Sequence, residues 1–133
     1  MRTDPHLHYL DNAATTMVDP EVANVIARAV QTLWANPSSL YDPAVEAQQA
    51  IDTARARVAK TLRCRSDEVY FTACGTESNN MALWGAAIPR RAWGSKVVVT
   101  GFEHPSVQLA ARALRGEGFT VVEVPPEADG TLD

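Results

Sequence analysis

Cysteine is scarce: Cys64 and Cys74 are the only two, with no Cys-x-x-Cys spacing and no histidines placed as co-ligands. That usage supports neither a disulfide framework nor a zinc site. His6 and His8 form a pair that could grip a metal, but so close to the N-terminus such a pair is ordinarily incidental. Positive charge is not in excess: 12 Lys and Arg against 16 Asp and Glu give a net charge of −4. This argues against a non-specific surface for nucleic acid or anionic membrane, and neither is expected as a partner. The apolar runs are too short to cross a bilayer. The opening Met1-Arg2-Thr3-Asp4-Pro5-His6 lacks the apolar centre of a signal peptide, so the cytoplasm is the expected location. No Gly-x-Gly-x-x-Gly occurs, which weakens a dinucleotide site. Gly94-Ser95-Lys96 has the wrong spacing for a P-loop and leads into a strand pattern rather than a helix. Asn36-Pro37-Ser38 carries proline in its middle position and is no glycosylation acceptor.

What is present is globular. The 133 residues, 46% hydrophobic and 21% charged, suffice for one domain with a real core but are few for a multi-site enzyme. Leu7 to Leu10 reads as extended, followed by the small polar turn Asp11 to Thr16. Asp19-Pro20 opens a helix, with aspartate as N-cap and proline in the first turn. Val22, Val25, Ile26, Ala29, Val30 and Leu33 keep the helical period and predict one buried face. Asn36 to Ser39 breaks that helix. A second covers about Ala44 to Leu62, with a narrow stripe of Ala44, Ala47, Ile51, Ala54, Val58 and Leu62.

Glu68 to Thr72 alternates β-branched and aromatic residues and predicts a short strand. A helix runs from the following junction to Ile88, with Met81, Trp84 and Ile88 on one face and Pro89 closing it. Lys96 to Thr100 is a near-continuous apolar run, the pattern of a strand covered on both faces. Pro105 to Glu117 is helical with Val107, Ala110, Ala111 and Leu114 inward, Gly118 stops it, and Phe119 to Val124 is a further strand. Strands alternating with helices predict an α/β fold with parallel strands. The turn Ala128-Asp129-Gly130 and the N-cap signal of Thr131 close the chain without a helix behind them, so a longer protein is expected.

Two places carry chemistry. At Phe71 to Asn80, a strand pattern turns through Gly75-Thr76 into a helix. Such a junction points unpaired N–H groups and a hydroxyl at one spot, which suits phosphate. An ordinary connection with Thr76 as N-cap explains the same residues. His104 follows the strand at Lys96 to Thr100, at the sheet edge where α/β folds bind ligands. It reads either as a surface or capping histidine, or as a ring placed beside the Gly75-Thr76 junction. Cys74 with His104 as nucleophile and base lacks a third group to orient the histidine.

Four segments, Tyr9 to Thr16, Asn36 to Ser39, Phe71 to Asn80 and Glu103-His104-Pro105-Ser106-Val107, occur together and in order. In these the chain resembles the cysteine desulfurase family, within the class V aminotransferase group of fold-type I pyridoxal-phosphate enzymes. The resemblance covers essentially the whole sequence. It implies N-terminal helices followed by the first strands and helices of a mostly parallel three-layer α/β/α sheet, with residues 1–62 as arm and helices and 63–133 as the start of the cofactor-binding large domain.

The resemblance further implies pyridoxal 5′-phosphate as cofactor, its phosphate held by Gly75 and Thr76. His104 would stack on the ring and assist proton transfers. The Asp11 to Thr16 loop would lie near the substrate. L-cysteine is the implied substrate, converted to L-alanine while an enzyme cysteine takes the sulfur as persulfide. A homodimer and a sulfur-acceptor or iron–sulfur scaffold protein are the implied partners. The tethering lysine and the sulfur-accepting cysteine of the family match no residue here: Lys60 and Lys96 sit in the wrong places, and Cys74 stands where many relatives carry glycine. The chain by itself is therefore expected to be inactive. The segment Leu40 to Ala44 also lacks the histidine and glycine usual after Asn-Pro-Ser-Ser. A non-catalytic assembly module, a selenocysteine lyase and a transaminase are the alternatives.

Overall fold

A computed structural model describes residues 8–132; His6 and Leu7 lie outside them. The chain divides into two compact units, Met1–Val69 and Tyr70–Asp133.

The first unit is helical. Helix α1, Pro20–Thr32, begins where Asp19 accepts the Glu21 N–H at 2.8 Å. Its apolar face is not buried: Val22, Val25, Ile26 and Val30 are all more than half exposed, and no α1 residue is buried. Periodicity identifies a face and leaves open what covers it, and among the described residues nothing does. Helix α2, Asp42–Leu62, buries Ala44, Ala47 and Ala59. Of the expected stripe, Val58 and Leu62 stay exposed. Between the helices, Asn36 Oδ1 accepts the Ser38 N–H at 3.0 Å, a local turn that exploits the short asparagine side chain. Arg63 ends α2 in a left-handed conformation, its N–H shared between the Ala59 and Lys60 carbonyls.

The expected strand at 68–72 does not form. Ser66–Glu68 is a short 3₁₀ turn and 69–72 belongs to no strand. Alternation makes a segment fit to be a strand, but only a neighbour's hydrogen bonds make it one. Among the described residues the sole ladder joins strands β1 and β2 to each other.

That ladder belongs to the second unit. Strand β1, Lys96–Thr100, pairs in parallel with β2, Thr120–Val124, with Val97 opposite Val121 and Val99 opposite Glu123. Before them runs helix α3, Gly75–Ala87, and between them helix α4, Pro105–Ala113, each continued by a 3₁₀ turn, Ile88–Arg90 and Leu114–Glu117. The α/β order with parallel strands is as the sequence predicts. One face of the sheet is covered: Val99, Ala111, Leu114, Phe119 and Val121 form the core, with Trp84, Ala87, Val97 and Val107 against it. Val98, on the opposite face, is 60% exposed, so β1 is not sandwiched as its apolar run suggests. Ala110 and Ala111, both buried, are small enough for α3 to approach, and Trp84 Nε1 donates to the Ala110 carbonyl at 3.3 Å. On the surface, Arg112 and Arg115 both reach Glu123, and the Arg112 hydrogen bonds hold its carboxyl below the usual range.

Gly118 ends α4's 3₁₀ extension with φ +83°, and a Cβ there would meet Arg91 Nη2 at 2.8 Å. The arginine tip can swing away; the left-handed backbone cannot relax without undoing the turn that seats buried Phe119. Gly118→Ala is expected to lose about 1–2 kcal/mol of stability, read as a lower urea midpoint with an unchanged slope.

Candidate functional site

The carboxyl end of β1 is held in place by its own loop. Gly101 continues the ladder, its N–H donating to the Val124 carbonyl at 2.7 Å. A Cβ on it would lie 3.2 Å from that carbonyl oxygen, closer than side-chain carbons ordinarily come. Thr100 Oγ1 donates to Glu103 at 2.7 Å and Gln108 Nε2 to the Gly101 carbonyl at 2.9 Å. The loop thus delivers His104 to the start of α4 as its N-cap, where Nδ1 accepts the Ser106 N–H at 3.1 Å. The capping reading of His104 is real. It also makes Nδ1 an acceptor, so the neutral ring carries its hydrogen on Nε2.

Helix α3 starts two residues earlier than a Thr76 cap would have it. Cys74 is the N-cap, without a side-chain cap bond, and Gly75 and Thr76 are the first helical residues. The carboxylate of Glu77 reaches back to the Ala73 N–H at 2.6 Å, and the first α-helical bond runs from Ser78 N to the Cys74 carbonyl. The N–H groups of Gly75, Thr76 and Glu77 precede it, as the unpaired donors of any helix start must. Among the described residues the Thr76 hydroxyl has no hydrogen-bond partner either, and Thr76 is exposed. A Cβ on Gly75 would meet nothing within 4 Å, so the backbone there faces open space.

These two helix starts are joined. Asn79, one turn into α3, donates from Nδ2 to Ser106 Oγ at 2.9 Å, and Ser106 Oγ lies 2.8 Å from His104 Nδ1. Gly75 and Thr76 on one side and His104 on the other therefore belong to one hydrogen-bonded corner of the second unit. Asn79 and Ser106 were not singled out from the sequence. They are 27 residues apart, and the only local hint is the His-Pro-Ser order, which fits an N-cap, a first-turn proline and a small polar residue. Cys74 is exposed and Cys64 half-buried, both free thiols.

Lys60 is on α2, in the first unit, and Lys96 opens β1 at the end opposite His104's loop. Four residue steps of about 3.3 Å put Lys96 about 13 Å from the carboxyl end of the strand. In the first unit, Tyr9 Oη donates to the Thr15 carbonyl at 3.0 Å and Asn12 Nδ2 to the Tyr9 carbonyl at 3.3 Å. This closes the Asp11 to Thr16 loop beside an open hollow of about 620 Å³ lined by His8, Tyr9, Asn12 and Thr16.

Comparison with known proteins gives a consistent result. A family profile described as "Aminotransferase class-V" matches residues 8–133. "Cysteine desulfurase 1" of Trichormus variabilis is 38% identical over 125 residues, 94% of this chain and 31% of the relative. The solved structure titled "NIFS-LIKE PROTEIN" superposes with a TM-score of 0.79 at 32% identity, covering 92% of this chain and 34% of that one. "SspA in complex with cysteine" does so with a TM-score of 0.72 at 32% identity, covering 86% and 33%. The chain spans about a third of the length of the curated relatives it matches. With the profile running over nearly every residue, including the helix starts at Gly75 and His104, the chain belongs to the class-V aminotransferase family.

Proposed function

We propose that this chain is the N-terminal part of a pyridoxal 5′-phosphate-dependent cysteine desulfurase, which takes L-cysteine to L-alanine and leaves the sulfur on an enzyme cysteine as persulfide. The observation that carries the reading is the joined corner: first-turn donors at Gly75 and Thr76, and an imidazole at His104, tied through Asn79 and Ser106. Two relatives support the substrate, one named a cysteine desulfurase and one solved with cysteine.

The donor set suits the cofactor. Open space at Gly75 lets an anion approach the backbone, and the Thr76 hydroxyl adds a donor beside the positive end of α3. When bound, pyridoxal phosphate supplies the electron sink for breaking bonds at the substrate's carbons. This chain's residues do the rest of the local work. The Gly75 and Thr76 N–H groups and Thr76 Oγ1 would bind and orient the phosphate. His104 would lie against the ring and move a proton at Nε2, the nitrogen its cap bond leaves free. The same reading includes a homodimer, a sulfur-accepting or iron–sulfur scaffold partner and a cytoplasmic location, each resting on the family likeness.

The test is an assay of the longer protein with L-cysteine and pyridoxal phosphate. Alanine and reducible sulfur should appear in equal amounts, and absence of both contradicts the reading. The 133-residue chain alone should release no sulfide above free cofactor, because the family's tethering lysine matches neither Lys60, on α2, nor Lys96, which opens β1 at the end opposite His104's loop.

A further inference from the structure

Ser106 is the one buried polar residue among those described, 7% exposed. Its hydroxyl stands between Asn79 Nδ2 at 2.9 Å and His104 Nδ1 at 2.8 Å. A third bond sets the direction of these two. The Ser106 N–H already donates to Nδ1 at 3.1 Å, so Nδ1 is an acceptor and the hydroxyl facing it must donate as well. With its hydrogen committed, Ser106 Oγ meets Asn79 as an acceptor, which requires the NH₂ side of the amide there. The order is therefore Asn79 Nδ2–H to Ser106 Oγ–H to His104 Nδ1, and each hydrogen has one consistent place.

We propose that Asn79 and Ser106 are positioning residues: they hold the neutral His104 imidazole in its Nε2–H form and tie its ring to the helix that begins at Gly75 and Thr76. A stitch between α3 and α4 needs no such directionality, and Trp84 already provides one through the Ala110 carbonyl. What Asn79 and Ser106 add is a fixed polarity at the nitrogen behind the one that would face a ligand. The role of His104 in turnover rests on the desulfurase reading. The tautomer does not.

Asn79→Asp separates polarity from bulk. A carboxylate has no hydrogen to give, so it takes the Ser106 hydroxyl proton, and Ser106 Oγ then presents lone pairs to Nδ1. Ser106→Ala is the control: it removes the hydroxyl but leaves the backbone N–H on Nδ1 and puts no acceptor there. The measurement is ¹⁵N–¹H correlation of the imidazole nitrogens in the longer protein labelled with ¹⁵N-histidine, above the pH at which the ring is neutral. The His104 signals are assigned by their loss in His104→Asn.

The native protein should show the Nε2–H tautomer alone. Asn79→Asp should bring up Nδ1–H, with kcat on L-cysteine down by about 10²-fold and KM little changed, while Ser106→Ala, with the backbone N–H still on Nδ1, should keep Nε2–H. A single Nε2–H tautomer retained in Asn79→Asp overturns the proposal, and so does Nδ1–H appearing in Ser106→Ala, where the backbone N–H alone faces Nδ1. A tautomer that shifts in a protein releasing no sulfur from cysteine upholds the positioning role and removes the desulfurase reading. A tautomer that stays fixed in an active enzyme does the reverse.

Discussion

Replacing His104 by asparagine is expected to lower turnover of L-cysteine by about 10² to 10⁴-fold, the range that one positioned proton-transfer group contributes. Asparagine is the informative substitute because of where His104 sits. The residue caps α4, with Nδ1 accepting the Ser106 N–H, and asparagine is among the best residues at that position. An alanine would remove the cap and the imidazole together and cost about 1 kcal/mol of helix stability. The asparagine keeps an acceptor for the Ser106 N–H, so the loop from Gly101, pinned by Thr100–Glu103 and Gln108–Gly101, has no reason to move. A turnover loss with unchanged thermal unfolding then belongs to the ring and its proton. Turnover within a factor of about three of the native rate would remove His104 from the chemistry, since it lies far below the contribution of a general acid or base. It would leave His104 as a cap only.

Much of this corner is legible in the sequence, because its signals are local. Asp19-Pro20 starts a helix through one bond two residues away. Gly118 stops one because its left-handed backbone disfavours a Cβ. The apolar runs at Lys96–Thr100 and Thr120–Val124 are separated by a helical period, which forces a parallel pairing. His104 stands out because a polar residue follows the apolar run of β1 at the sheet edge, and Gly75-Thr76 because small polar residues stand where a helical pattern begins.

Most of the misreadings share a different cause: they depended on a partner distant in sequence. The α1 face of Val22, Val25, Ile26 and Val30 has the right period, yet no described residue covers it. The 68–72 stretch has strand alternation but no ladder beside it. Val98 belongs to an apolar run, but α3 and α4 pack on the opposite face of the sheet. The start of α3 is a local exception: Thr76 fits an N-cap by residue type, and the chain starts the helix at Cys74 instead, with Glu77 turned back onto Ala73. Asn79 and Ser106 are the clearest case of a distant partner. Neither residue type is unusual on a helix, and only the folded unit places the amide beside the buried hydroxyl.

The central claim is that the first turn of α3 holds the cofactor's phosphate, and Gly75→Asp puts it under the most direct strain. A side chain at this position meets no atom within 4 Å at its Cβ, and the backbone is not in the left-handed region, so the substitution costs little sterically. An acidic residue in the first helical turn even favours the helix, by about 0.3–1 kcal/mol. Folding and phosphate binding are therefore pushed in opposite directions. Two unit charges about 4 Å apart near a protein surface repel by about 4 kcal/mol, or about 10³-fold in a dissociation constant. The measurement is the affinity of the longer protein for pyridoxal phosphate, native against Gly75→Asp, with thermal unfolding of both in the absence of cofactor. The account predicts an affinity about 10³-fold weaker in the variant, with an unfolding temperature equal or higher. Equal affinity in the two proteins would contradict it and place the phosphate somewhere other than the start of α3.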